Sequence, residues 1–137
     1  RKYRWFSSAG LLMGTSSGTS CHVARGSPDE VWVTEGEKKS DVACDITGKT
    51  FISLPGVYEY WKCIPLLKEL SPKTIVVAYD ADKISNPAVA RCEKFLIETL
   101  KIEFQEVVIL KAEWDLAQAK GIDDLFLIGK KPQYAVA

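Results

Sequence analysis

Thr74-Ile75-Val76-Val77-Ala78-Tyr79 is a nearly continuous apolar run, set off by Ser71-Pro72 before it and Asp80 after it. A run of this length and β-branched content reads as a central strand buried on both faces, the kind found inside a parallel sheet. Such a strand needs helices over both of its faces, so the rest of the chain has to supply them.

From Val31 onward the sequence does so by alternating short β-rich runs with helix-length amphipathic stretches. Val31-Trp32-Val33-Thr34 is the first expected strand, and Gly36 permits a tight turn into a helix over Lys38 to Ile46. Gly48 closes that helix, Thr50 to Leu54 is strand two, and Pro55-Gly56 breaks it before a helix from about Tyr58 to Leu70. Pro65 is expected to kink or split this helix. After the third strand, Asn86-Pro87 offers an N-cap and a first-turn proline to a helix with Ala88, Cys92, Phe95, Leu96, Thr99 and Leu100 at three-and-four spacing. Glu106 to Leu110 reads as strand four and Ile122 to Ile128 as a short final helix closed by Gly129. Trp32, Trp61 and Trp114 are assigned to the core.

Residues 1–30 do not follow this rhythm. Lys2 to Phe6 and Cys21 to Ala24 look like two short strands joined by the Gly/Ser/Thr-rich loop Gly14 to Ser20, a β-hairpin-like extension ahead of a domain over 31–137. In all, 137 residues with 47% hydrophobic content suit one core, and 18 basic against 18 acidic residues remove any global attraction to nucleic acid or membrane. No apolar run is long enough to span a bilayer, so no membrane partner is expected. Four scattered cysteines without a CxxC pair and a single histidine, His22, assemble neither a zinc knuckle nor a histidine-based triad. They fit a reducing compartment, and a cytoplasmic location is expected. The chain opens on Arg1-Lys2 without a signal-peptide pattern, from which a segment of a longer protein is expected.

Ligands of open α/β sheets bind beyond the carboxyl ends of the strands, and those places are acidic here. Glu35 follows strand one, Asp80 and Asp82 follow strand three, and Asp115, Asp123 and Asp124 follow strand four. If strands one and three are neighbours, several carboxylates converge, and a divalent cation would relieve their repulsion most directly. Hard oxygen ligands imply Mg2+ or Mn2+. A metal site beside an unliganded carboxylate would suit phosphoryl transfer, which needs charge on phosphate oxygens and a route for a proton. Asp115 is read instead as a helix N-cap. Lys38, Lys39 and Lys83 stand beside the acids as candidates for phosphate or nucleic-acid contact, against the ordinary reading of solvated lysines. Arg1, Lys2 and Arg4 with Tyr3, Trp5 and Phe6 are read as a surface hairpin with buried aromatics before a stacking platform for single strands.

The order of these motifs resembles a known family. Val31 to Gly36, then Tyr79-Asp80-Ala81-Asp82-Lys83, then Lys120-Gly121-Ile122-Asp123-Asp124 is similar to the TOPRIM domain shared by topoisomerases, bacterial-type primases and certain nucleases. Thr34 to Lys39 with Ser53 to Val57 looks closest to the primase-like TOPRIM domains of plasmid and phage replication proteins. The resemblance covers roughly residues 31 to 129. It implies a Rossmann-like α/β fold of about four mostly parallel strands flanked by helices, here with a short N-terminal β extension.

By the same resemblance Glu35 corresponds to the family glutamate proposed as general acid or base, and Asp80 and Asp82 to its metal-binding pair. Asp123 and Asp124 match an acidic site after the last strand, although replicative primases separate those two acids by one residue. Lys39 stands where primases often carry an acid, a departure from a full three-metal arrangement. The implied activity is Mg2+-dependent nucleotidyl or phosphoryl transfer on DNA or RNA, with nucleotides as substrates and helicase or zinc-binding domains as neighbours in a replication protein. The alternatives are a TOPRIM nuclease and a non-catalytic nucleic-acid-binding or interaction module.

Overall fold

The computed structural model describes residues 20–137. In chain order these give β1 (His22–Ala24), β2 (Ser27–Glu35), α1 (Glu37–Thr47), β3 (Lys49–Leu54), a 3-10 segment (Val57–Cys63), α2 (Ile64–Leu70), β4 (Thr74–Val77), a 3-10 turn (Ala81–Ser85), α3 (Pro87–Glu103), β5 (Val108–Glu113), α4 (Ile122–Leu127) and β6 (Gln133–Val136). The strands form one sheet in the order β1-β3-β2-β4-β5-β6. The four inner strands are mutually parallel, and the outer two run antiparallel to their neighbours. The fold is therefore α/β with helices on both faces, and its sheet has six strands where about four were expected. The two further strands are edges: the one expected over Cys21 to Ala24 joins the main sheet, and Gln133–Val136 was not expected. β1 pairs with Phe51–Ser53 of β3, while the expected strand Lys2 to Phe6 lies outside the described residues.

Side chains alternate across the sheet and build two cores. Val31, Val33, Ile52, Leu54, Ile75 and Val77 point to the side of α2 and α3, where Leu67, Leu96 and Leu100 are fully buried. Trp32, Phe51, Val76 and Ala112 point to the opposite side, against Ala43 of α1 and Ile122 and Leu125 of α4. Trp32 stacks on Phe51 at 5.4 Å, meets the edge of Phe126 at 5.8 Å, and donates from its indole N–H to Glu30 at 2.7 Å. Pairs of this kind add about 0.5–1.5 kcal/mol each beyond the area they bury.

The helix expected over Tyr58 to Leu70 is divided between residues 63 and 64, with Pro65 in the first turn of α2. Because the upstream half is a 3-10 segment interrupted at Glu59, Trp61 is not on the helical face that its spacing suggested, and it is 54% exposed. Strand four begins two residues later than expected and ends at Glu113. Asn86 caps α3 as expected, accepting from the Val89 amide, with Pro87 in the first turn.

Candidate functional site

The chain leaves β2 toward β3 on one side and returns to β4 on the other, so the carboxyl ends of β2 and β4 flank a topological switch point. Glu35 is the last residue of β2, and Asp80 follows β4 after the buried residues Ala78 and Tyr79. Gly36 takes φ +88°, a left-handed conformation that turns the chain from β2 into α1 within one residue. Lys39, in the first turn of α1, then places its ammonium 2.6 Å from Asp80 Oδ2.

A third segment joins them. The Ala81 amide donates to the Lys120 carbonyl at 2.8 Å, which holds Gly121 to Asp123 beside Asp80. Gly121 leaves no room for a side chain: a Cβ there would lie 2.7 Å from Asp123 Oδ1, 3.3 Å from Asp80 Oδ1 and 3.3 Å from Lys39 Cδ. Four buried side-chain oxygens among the described residues have no hydrogen-bond partner: Thr34 Oγ1, Ser40 Oγ, Asp80 Oδ1 and Asp123 Oδ1. Two belong to this cluster and two adjoin Glu35 and Lys39 in sequence. Unsatisfied buried groups are rare, which makes the two aspartate oxygens the atoms of this cluster open to a further partner.

The electrostatics follow from burial. It raises the Glu35 carboxyl above its ordinary value, the charge of Asp80 adds to this, and Lys39 and the Asp80 backbone amide pull the other way. Burial likewise raises Asp80, against the hydrogen bond and charge of Lys39. For Lys39 burial pulls downward, but Asp80, Glu35 and Asp123 together outweigh it and raise the ammonium above its ordinary value. Three carboxylates thus act on the firmly charged Lys39, and the charge of Lys120 also lowers Asp80.

A model of the family described as a domain of unknown function, DUF3854, matches residues 26–133. The chain belongs to the DUF3854 family. No curated protein and no solved structure gives a significant match. The span matched in this DUF3854 domain contains Glu35, Lys39, Asp80, Gly121 and Asp123.

The remaining candidates of the DUF3854 domain stand further out. Asp82, inside the 3-10 turn that begins at Ala81, lies 3.7 Å from the Lys120 ammonium and raises Asp80 by its charge. Asp124 and Lys38 are exposed. Asp115 accepts from the Ala117 amide at 2.9 Å, a local contact within a turn and not at a helix start. Lys83 lies 2.5 Å from Glu93 of α3 and 3.4 Å from Glu113 of β5, and Lys111 of β5 lies 3.2 Å from Glu113. These four charges line a cleft of about 680 Å³ together with Tyr79 and Trp114. Sequence reasoning passed over Glu93 because it sits beside Cys92 and Leu96 on the apolar stripe of α3; an acid on such a stripe was the available signal.

Among the described residues no group of three or more His, Cys, Asp or Glu side chains is close enough to hold a metal ion. The donor set is smaller: the two unpartnered oxygens of Asp80 and Asp123, over the space that Gly121 keeps open. One or two carboxylates suit Mg2+, which keeps most of its water and completes its shell with substrate phosphates.

Proposed function

We propose that this DUF3854 domain is a TOPRIM-like domain that transfers nucleotidyl or phosphoryl groups on nucleic acid with Mg2+ or Mn2+, as part of a primase-like replication protein. The observation that carries the reading is the meeting of Glu35, Asp80 and Asp123 beyond adjacent parallel strands, with one unpartnered buried oxygen on each aspartate. Asp80 and Asp123 would hold the cation, with Asp82 near enough to raise Asp80 by its charge. When bound, such an ion supplies positive charge to phosphate oxygens. Glu35 does the proton work: burial and the charge of Asp80 raise its carboxyl above its ordinary value, the direction that suits a general acid or base. Lys38, exposed on the first turn of α1, is the lysine free to meet a phosphate, since Lys83 is taken up by Glu93 and Glu113.

The test is to assay the full-length gene product with Mn2+ for primer synthesis and for strand cleavage, beside its Glu35→Gln variant. Turnover is expected to fall roughly a hundredfold or more while single-strand binding stays unchanged. Undiminished activity in Glu35→Gln would remove the catalytic role, and cleavage without synthesis would make the domain a nuclease. A second reading, a non-catalytic nucleic-acid-binding module, is favoured by the ion pair of Lys39 with Asp80. It predicts no metal-dependent activity in the wild type and binding that is unchanged or stronger in Glu35→Gln.

A further inference from the structure

Asp80 already has a cation supplied by the chain. It is 3% exposed, and the Lys39 ammonium reaches its Oδ2 along a stem that lies against two glycines. A Cβ on Gly36 would come within 3.4 Å of Lys39 Cδ, and one on Gly121 within 3.3 Å of the same atom. The lysine stem therefore runs beside Gly121, where an added Cβ would crowd it, and within ordinary contact distance of Gly36. It does not complete the cluster, however. Asp80 Oδ1 and Asp123 Oδ1 stay buried and unpartnered, and Lys39 is the cation that hydrogen-bonds Asp80, with Lys120 acting on it only by its charge. An ammonium offers one charge and directional hydrogen bonds, whereas a divalent cation would offer two charges and further coordination positions.

We infer that Lys39 is a displaceable plug: its ammonium holds Asp80 while no metal is present, and it has to leave Oδ2 for a divalent cation to take the Asp80–Asp123 pair. The lysine thereby keeps the metal-free cluster folded and sets the metal affinity low. This rests on reading the two aspartates as a metal site. The physical reason is mutual exclusion, because a divalent ion and an ammonium on the same carboxylate repel each other strongly in a partly buried place. Lys39 thus takes the role of a competing cation at the position where the resemblance led to expecting another acid.

The experiment measures MnCl2 binding by calorimetry with no nucleic acid present, in the wild type and in Lys39→Met, which keeps the stem between the glycines and removes the charge. Lys39→Met is expected to bind at least about tenfold more tightly. Without metal its melting temperature should lie below that of the wild type, and saturating Mn2+ should raise it by more. Adding Asp80→Asn to Lys39→Met should abolish the gain. Lys39→Gln, which leaves a neutral donor for Asp80, serves as a second variant if Lys39→Met does not fold without metal. Equal or weaker binding in both variants, with measurable binding in the wild type, overturns the plug and leaves the metal site standing. Absence of Mn2+ binding in all three proteins overturns both. Variants that stay unfolded at saturating Mn2+ also overturn the plug, because the metal then does not replace the ammonium.

Discussion

Gly121 is the residue at which the cluster is most sensitive to a single added methyl. Its φ of −107° and ψ of 164° are open to any residue, so the constraint is space and not backbone strain. The nearest atom to an added Cβ is a carboxylate oxygen of Asp123, which can rotate away, whereas no backbone atom is among the close contacts. Gly121→Ala is therefore expected to fold with a loss of about 1 kcal/mol or less, while Mn2+ affinity falls roughly tenfold or more as Asp123 is pushed out of line. Chemical denaturation and calorimetry on the same variant check the two halves, and unchanged affinity would show that Asp123 is not a ligand. How much of this site was legible in the sequence differs residue by residue. Glu35 and Asp80 could be picked out because one ends a strand and the other closely follows one, which depends only on local periodicity, and Asp123 because it opens the helix after the last inner strand. The pairing of Lys39 with Asp80 could not, since it joins residues 41 positions apart and depends on which strands are neighbours. Nor could it be read that Asp82 turns to Lys120, because that follows from the 3-10 geometry after Asp80.

At the level of elements, the 3-10 turn, α3 and β5 are tied together by Lys83, Glu93, Lys111 and Glu113. Burial pushes the Glu113 carboxyl up, but the charges and hydrogen bonds of Lys83 and Lys111 more than reverse this and hold it below its ordinary value. A carboxylate whose folded-state pKa is lowered stabilises the fold above its unfolded value and loses that contribution as the pH falls through the folded one. The melting temperature of wild type minus that of Glu113→Gln should therefore be positive near pH 7 and shrink toward zero as the pH drops below about 4. A difference independent of pH would mean that packing, and not charge, sets the effect. Glu35 and Asp80 have raised values and act with the opposite sign, which is why the comparison is made against the Glu113 variant and not read from the wild-type curve alone. The elements themselves were mostly legible: the inner strands and the helices α1, α3 and α4 lie close to where periodicity, Asn86-Pro87, Gly48 and Gly129 put them. β6 was not, because Gln133–Val136 is exposed throughout and follows Lys130-Lys131-Pro132, a stretch with no buried alternation to read.

Across the whole molecule, the acidic cluster draws on β2, the segment after β4, and α4, and these do not share one stability. β4 is central and its residues 75–77 are fully buried, so its amides open only with the sheet. α4 has six residues and no side-chain cap at its start, and a helix so short persists only through its packing on α1 and the sheet. Asp123 is thus delivered by an element expected to open before the sheet does. Hydrogen exchange should show this directly: the Leu125 and Ile128 amides, bonded to Gly121 and Asp124, should exchange through a smaller opening free energy than the Val76 and Val77 amides. Mn2+ should slow exchange in α4 selectively, and equal protection of α4 and β4 in the metal-free protein would show that they open as one unit. The brevity of α4 then has a price of its own: if the Asp80–Asp123 pair is the metal site proposed above, its measured affinity should equal the intrinsic one multiplied by the fraction of time the helix is docked.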